Sequence, residues 1–176
     1  LATGAWDEGA AEALGVSVAR HALPEIVSCA EHYGTVATGP LAGAAVTGCL
    51  GDQQSAMVGQ RCFSVGDAKI TYGTGAFLLM NAGTTPVPSG HGLLSTALYQ
   101  FGRNGKRYYA LEGAVASCAV GVNWFKDSLG MVESAPEISA LAAQVDDPEG
   151  LYFVSAFSGL LAPHWRDDAR AALVGL

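Results

Sequence analysis

The spacing of apolar residues changes several times along the first third of the chain. Residues 9–16 have the period of a short helix, and glycine, threonine and proline then interrupt the pattern from Cys29 to Gly39, which predicts a connecting loop. Residues 44–50 are mostly apolar and predict a short strand, whereas residues 53–60 return to helical spacing. Asp52 therefore lies at a predicted strand-to-helix junction.

From Lys69 the pattern changes to a period of two, and strands are predicted over residues 68–80, 93–101 and 107–111. The second and third candidates are joined by Arg103-Asn104-Gly105, the strongest short hairpin signal in the chain. A type I′ turn there requires positive φ at both central residues. The sequence thus predicts an antiparallel meander.

Small residues from Glu112 to Leu129 predict a helix packed on this sheet. Ser134-Ala135-Pro136-Glu137 has the form of a capping box and predicts a second helix that extends to about Val145. Further strands are predicted over residues 152–157 and in the apolar run 171–176. The β-β-β-α-β order favours an α/β fold with a mixed sheet, as in the ribonuclease H-like half of an actin-like ATPase, over a doubly wound parallel sheet.

The composition of the chain indicates which kinds of partner it can bind. Of the 176 residues 50% are hydrophobic, which supports a folded core, and 16 acidic against 9 basic residues give a net charge of −7. Without a basic run or a basic helix face, a nucleic-acid partner or an anionic membrane is disfavoured. A small ligand is the expected partner.

The cysteines and the chain ends bear on the compartment. Cys29, Cys49, Cys62 and Cys118 are widely spaced and form no CxxC pair, which predicts free thiols of a reducing compartment with neither a disulfide nor a zinc site. No apolar run reaches the ~20 residues that span a bilayer, and the acidic N-terminus is unlike a signal peptide. We expect a cytoplasmic protein, and a chain cut from a longer one at both ends.

Asp52 is the first candidate for chemistry. A carboxylate at the mouth between a strand and a helix can accept the proton of an attacking alcohol. The alternative is a helix N-cap, for which aspartate is among the preferred residues. Gln53 and Gln54 favour a ligand site slightly, because they crowd polar side chains at one strand end.

A glycine turn, Thr71 to Gly75, is the second candidate. Gly73 and Gly75 allow close approach of the backbone to a phosphate, and the Thr74 hydroxyl can donate to a phosphate oxygen. The alternative is a kinked or bulged strand. The segment has no Walker lysine, so it is not a P-loop. A carboxylate together with a phosphate-facing loop is the minimum equipment for phosphoryl transfer.

Other residues give weaker signals. Phe77 alternates with Leu79 and is either core or an apolar wall for a ligand. Glu112 is either a site carboxylate or an acid at a helix start, and residues 157–165 form either a functional or a packed loop. The four histidines show no metal spacing and receive no role.

Several motifs in one order now identify a resemblance. The chain resembles the glycerol kinases of the FGGY carbohydrate kinase family, which belong to the actin-like ATPase superfamily. The matching stretches are Gly51-Asp52-Gln53-Gln54, Val58-Gly59-Gln60, Ala68-Lys69, Thr71-Tyr72-Gly73-Thr74-Gly75, Phe77-Leu78-Leu79-Met80-Asn81, Tyr109-Ala110-Leu111-Glu112-Gly113, Phe157-Ser158-Gly159-Leu160, Ala162-Pro163, Trp165 and Asp168-Ala169-Arg170.

The resemblance implies ATP-dependent phosphorylation of glycerol to sn-glycerol 3-phosphate with Mg²⁺ as cofactor. By resemblance, Asp52 is the catalytic base and a glycerol contact, Gln53 is a further glycerol contact, and Phe77 packs against the glycerol carbons. Thr74 and Gly73 correspond to contacts of the nucleotide phosphates. No residue of the chain is assigned to the metal, whose site is expected mainly outside these residues.

The chain departs from the family pattern on the nucleotide side. Ala119 stands where the family has glycine near the nucleotide phosphates, and Asn123 stands where glutamine is usual. Both are retained as nucleotide-binding candidates. His164 and Arg166 replace a tyrosine and an aspartate in the neighbouring loop.

The resemblance also implies a domain division. Residues 1–61 correspond to the end of the family's N-terminal domain and residues 62–176 to the first part of its C-terminal domain, so this chain alone is expected to be inactive. Its partners would be glycerol and ATP or ADP, with possible homo-oligomers of the full-length protein. The alternatives are a non-catalytic remnant that binds a small ligand or partner, and a family kinase for another polyol or sugar.

Overall fold

The computed structural model describes residues 1–15 and 23–176. The chain divides into two compact units: Leu1–Asp67 with Asn81–Val87 and Ser95–Ala110, and Ala68–Met80 with Pro88–Leu94 and Leu111–Leu176. Each unit has buried apolar side chains. In the first unit these are Met57, Cys62, Leu98, Tyr99, Tyr109 and Ala110. In the second they are Ala76, Leu79, Ala114, Val132 and Ala156.

The first unit begins with a short helix, α1, over Glu8–Ala13. Asp7 caps it, because the Asp7 side chain accepts a hydrogen bond of 2.9 Å from Ala10 N. The predicted helix is confirmed with an earlier start, and its predicted end at Val16 lies outside the described residues, as does His21.

Two short antiparallel strands follow, β1 (Ala30–Thr35) and β2 (Ala45–Gly48), with a register shift between Ala30 and Gly34. The prediction of a loop from Cys29 to Gly39 was therefore wrong over β1. Pairing with β2 forms a strand in spite of Gly34, which lies at the register shift. The strand predicted over 44–50 is confirmed, and helix α2 occupies Asp52–Gly59.

A four-stranded sheet contains β3 (Ala68–Tyr72), β4 (Ala76–Gly83), β5 (Leu94–Gln100) and β6 (Arg107–Val115) in the order β3-β4-β6-β5. The strand predicted over 68–80 is in fact an antiparallel hairpin, with Tyr72 opposite Ala76. The meander order was also wrong, because β6 lies between β4 and β5.

The turn between β5 and β6 differs from the predicted type I′. Gly105 N donates to Gly102 O at 2.9 Å, and Gly102 has the positive φ, 80°. Neither Arg103 nor Asn104 has a positive φ. Because Gly102, the first residue of the turn, has the positive φ, the central residues Arg103 and Asn104 do not need one.

The helix predicted from Glu112 was wrong at its start, because β6 continues to Val115. Helix α3 covers Ala119–Asn123, and a π-helical turn over Trp124–Ser128 follows it. Helix α4 spans Ala135–Ala142 after the predicted N-cap, Ser134, but the Ser134 side chain makes no capping bond. Glu137 instead accepts from Glu133 N at 2.8 Å.

Strands β7 (Tyr152–Val154) and β8 (Ala172–Val174) pair antiparallel in a sheet of their own, so the last predicted strands do not join the four-stranded sheet. The rings of Trp124, Phe125 and Phe157 pack together with that of Phe153 in β7, and Trp124 and Phe153 are stacked with centroids 5.4 Å apart. Among the described residues no helix has the length and apolar character needed to cross a bilayer.

Candidate active-site loops

Asp52 is the first residue of α2, and Gly51 is the N-cap. The predicted alternative, Asp52 as N-cap, was therefore wrong by one position. Its carboxylate still satisfies a backbone N–H at the start of the helix, because Asp52 Oδ1 accepts a hydrogen bond from Gln53 N at 2.7 Å. Asp52 is exposed to solvent. A carboxylate held in this way remains accessible to a hydroxyl group of a ligand.

Gln54 ties the first turn of α2 to strand β5. Its Nε2 donates to Ala97 O at 3.2 Å. Its Oε1 lies next to Gly51, where a Cβ atom would come within 2.7 Å of that oxygen. Gly51 and Gln54 are thus packed against each other around the start of the helix.

The other end of α2 is held by buried groups. Met57 is fully buried. After the helix, Cys62 O accepts hydrogen bonds from Asn81 Nδ2 at 3.2 Å and from the Tyr99 hydroxyl at 3.1 Å. Asn81 Oδ1 accepts from Gly83 N at 2.9 Å, and Asn81 is itself fully buried. We call Cys62, Asn81 and Tyr99 the buried polar cluster.

Burial raises the pKa of Tyr99, which favours its protonated, donating form. A protonated hydroxyl is what the bond to Cys62 O requires. The buried polar cluster therefore stays hydrogen-bonded without burying a charge.

The glycine turn between β3 and β4 is built from main-chain contacts. Thr74 O accepts from Cys118 N at 2.8 Å, and Gly73 O accepts from Ala119 N at 3.0 Å. A Cβ at Gly75 would lie 2.6 Å from Val115 O. Gly75 is therefore needed for the close approach of the turn to the end of β6, which explains this glycine without a ligand.

Thr74 is exposed at the apex of this turn. The Gly73 amide donates to Gly75 O at 2.8 Å, so it is engaged inside the turn. Of the predicted nucleotide contacts, the structure brings Gly73, Thr74 and Ala119 together. Ala119 begins α3 and Asn123 ends it, exposed one turn further on.

Phe77 lies two residues after the turn in β4, opposite Thr71, and is half-buried. Leu79 is fully buried, so the core interpretation fits Leu79 more closely than Phe77. Glu112 lies inside β6, half-buried, rather than at a helix start. Its predicted helix-start role was therefore wrong.

The loop after β7 is packed on itself. Leu160 and Arg166 form a β-bridge, and Trp165 Nε1 donates to Gly92 O at 2.6 Å. Arg166 Nε contacts Asp168 Oδ1 at 2.6 Å and holds the pKa of that carboxyl below its ordinary value. These contacts support the packed-loop alternative for residues 157–165.

A cavity of about 370 Å³ lies in the first unit, lined by residues that include Glu31, Tyr99, Arg103 and Arg107. Glu31 accepts from Ser28 Oγ at 2.7 Å and from Arg103 Nη2 at 3.0 Å. The Ser28 hydroxyl, and after it the Arg103 guanidinium, hold the pKa of Glu31 below its ordinary value. None of the predicted site residues lines this cavity.

Sequence reasoning missed the contact of Gln54 with Ala97 and the buried polar cluster. The two glutamines after Asp52 gave a signal, but it did not separate Gln53 from Gln54. The polar cluster joins residues 62, 81 and 99, and no local pattern links positions so far apart. All four cysteines are free thiols in the structure.

Known proteins resemble the chain over nearly all of its length. The glycerol kinase of Chloroflexus aurantiacus is 55% identical over 172 residues, which are 97% of this chain and 34% of that protein. The glycerol kinase of Arabidopsis thaliana is 49% identical over 177 residues, covering 100% of this chain and 33% of its own length. The chain thus spans about a third of the length of the curated relatives it matches.

The fold matches as well. The crystal structure of Plasmodium falciparum glycerol kinase with ADP superposes with a TM-score of 0.86 and 40% identity, over 98% of this chain and 34% of that one. The predicted α/β fold of the actin-like ATPases is thereby confirmed. The C-terminal domain of the FGGY family of carbohydrate kinases matches residues 68–176. The chain therefore belongs to the FGGY family of carbohydrate kinases.

Proposed function

We propose that the protein phosphorylates glycerol with ATP to give sn-glycerol 3-phosphate, and that this chain supplies part of the active site. The observation that carries the proposal is the 49–55% identity to glycerol kinases over nearly all of the chain. The exposed carboxylate of Asp52 and the exposed Thr74 support it, because both residues stand where a polar substrate has access.

In the proposed reaction, the Asp52 carboxylate accepts the proton of a terminal glycerol hydroxyl. That oxygen forms a bond to the γ-phosphorus of ATP, the bond from phosphorus to the β–γ bridging oxygen breaks, and ADP leaves with the electron pair. The proton leaves late in a loose transition state, so positioning contributes more than the basicity of aspartate.

The other residues have binding roles in the proposal. Gln53 contacts a glycerol hydroxyl, and Phe77 provides an apolar surface for the glycerol carbons. Thr74 and Gly73 lie near the nucleotide phosphates, with Ala119 and Asn123 beside them. Because the Gly73 amide is engaged inside the turn, Thr74 is the main donor to phosphate that we propose here.

Mg²⁺ would accompany the nucleotide, where a divalent cation neutralises phosphate charge. The described residues contain no group of three or more His, Cys, Asp or Glu side chains that could hold a metal ion. We assign none of the described residues to it. In the same proposal residues 1–61 end one kinase domain, residues 62–176 begin the next, and the protein works in the cytoplasm.

A hybrid kinase tests this function. In it, residues 1–176 replace the matching third of the Chloroflexus aurantiacus glycerol kinase. We expect glycerol-dependent release of ADP, with xylulose as the comparison substrate. A folded hybrid that turns over xylulose but not glycerol would support another sugar kinase, and one that turns over neither would support a non-catalytic remnant.

A further inference from the structure

The N-cap of α2 gives its first turn no side-chain anchor. This residue, Gly51, has no side chain and makes no capping bond. The buried side chain of the helix, Met57, lies near the other end. The Asp52 carboxylate bonds to the next residue, Gln53, so it moves with the turn and does not fix it.

Gln54 ties this turn to strand β5. Its donor group reaches Ala97 O in β5 at 3.2 Å, 43 residues away in sequence. A glutamine amide can donate to a strand carbonyl without distorting the strand, since each carbonyl oxygen has two lone pairs. The contact therefore links the start of the helix to a strand.

Gly51 is matched to this side chain. Its φ of −62° and ψ of 154° are ordinary extended values that any residue adopts, so the conformation does not require glycine. What a larger residue would meet is the Gln54 amide, with its oxygen 2.7 Å from a Cβ at Gly51. The glycine leaves room for Gln54 to lie back along the turn toward Ala97.

We propose that Gln54 is a positioning residue, which fixes the first turn of α2 and thereby the Asp52 carboxylate. This inference rests on the proposed function, in which Asp52 is the catalytic base. Gln54 itself touches neither substrate nor nucleotide in this account. Its effect on the reaction passes through the orientation of Asp52.

The main test is a double-mutant cycle in the hybrid kinase with Gln54→Ala, Gly51→Ala and the double variant. Misplacement of a reacting group by about 1 Å can cost ~100-fold in rate. We expect each single variant to lower kcat by about ten- to a hundredfold, with the KM for ATP within about twofold of the parent value. Because both changes break the same contact, the double variant should match the single ones.

Two control variants make the same kinds of substitution, Gly→Ala and Gln→Ala, at positions outside this contact. Gly59→Ala changes a glycine of the same helix that has open space around it, and Gln144→Ala removes an amide that donates to Ala140 O within its own segment. Both should retain the parent kcat. The proposal would be overturned if the loss of kcat in the double variant equalled the product of the two single losses. A Gly51→Ala variant with the parent kcat would also overturn it.

A second measurement is independent of activity. In the chain of residues 1–176, hydrogen exchange of Ser55 N, which donates to Gly51 O at 2.8 Å, reports the first turn directly. We expect faster exchange in Gln54→Ala and unchanged exchange in Gln144→Ala. Unchanged exchange in Gln54→Ala would overturn the proposal. A hybrid parent without activity on glycerol would instead count against the proposed function and leave the exchange result to decide on Gln54.

Discussion

The two candidate loops both contain a glycine that a neighbour approaches closely, but the neighbours differ. At Gly51 the nearest atom is the end of a flexible side chain, Gln54 Oε1, 2.7 Å from where a Cβ would lie. At Gly75 it is a main-chain oxygen, Val115 O, at 2.6 Å. A side chain can rotate away from a new methyl group, whereas a strand carbonyl moves only with its strand.

Because the neighbours differ, substitutions in the two loops should have different consequences. The start of α2 is adjustable, so changes there should affect the placement of Asp52 more than the fold. The β3–β4 turn is rigid, because its carbonyls hold the start of α3 and its glycine packs against β6. Changes there should affect the fold directly.

The largest effect on stability is expected where side chains do hold the α2 region firmly, in the buried polar cluster. Asn81→Ala leaves Gly83 N without its partner and opens a cavity beside Cys62 O and the Tyr99 hydroxyl. We expect a loss of about 3 kcal/mol in the free energy of unfolding, measured by urea denaturation.

Tyr99→Phe is the matched variant for this cluster, since it removes one hydroxyl and keeps the ring. It should cost only about 1 kcal/mol. If Asn81→Ala cost no more than Tyr99→Phe, the α2 region would be less firmly held than its contacts indicate.

A smaller loss is expected in the rigid turn. Gly75→Ala places a methyl group against Val115 O and should lower the free energy of unfolding by about 2 kcal/mol. Gly73→Ala is its control, because a Cβ there would meet nothing closer than Gly75 O at 3.7 Å. Equal stabilities of the two variants in urea denaturation would remove the contrast between the loops.

The smallest effect concerns the charge of Glu31, in β1. The Glu31 pKa lies below its ordinary value, chiefly because of the Ser28 hydroxyl, so ionised Glu31 stabilises the fold above its ordinary pKa of 4.5. That contribution is lost as pH falls through the lowered pKa. Ser28→Ala should raise the Glu31 pKa, as read from a carboxyl NMR titration. Its stability deficit should be full at neutral pH and fade in acid.

Ser139→Ala, at an exposed position of α4, should leave the Glu31 titration unchanged. A Ser28→Ala deficit that persisted undiminished in acid would show that the hydroxyl acts by packing and not through the carboxylate.

The position of Asp52 followed from the sequence because an apolar strand and a helical period meet there. The glycines at residues 73 and 75 indicated a turn or a bulge, but not that the chain reverses there, because strand-like residues continue on both sides of them. The extent of β6 was missed because its small residues have little strand preference. Packing explains the glycine among them, because a Cβ at Gly113 would lie 3.3 Å from Leu93 Cδ2.

Strand β1 and the Gln54 contact were missed for a related reason. Both depend on partners in another element, β2 for the one and Ala97 of β5 for the other. The motif containing Gln53 and Gln54 indicated polar chemistry, but only the three-dimensional contact distinguishes a proposed ligand contact from a proposed positioning residue.

The most direct test of the central claim is the turnover of Asp52→Asn in the hybrid kinase, with Asp146→Asn as control. Asparagine keeps an oxygen for Gln53 N, so the melting temperature should not change, but it cannot accept the glycerol proton. We predict that kcat falls by about 10²–10⁴-fold in Asp52→Asn and not in Asp146→Asn. Turnover near the parent value in a folded Asp52→Asn hybrid would contradict the assignment of Asp52 as the catalytic base.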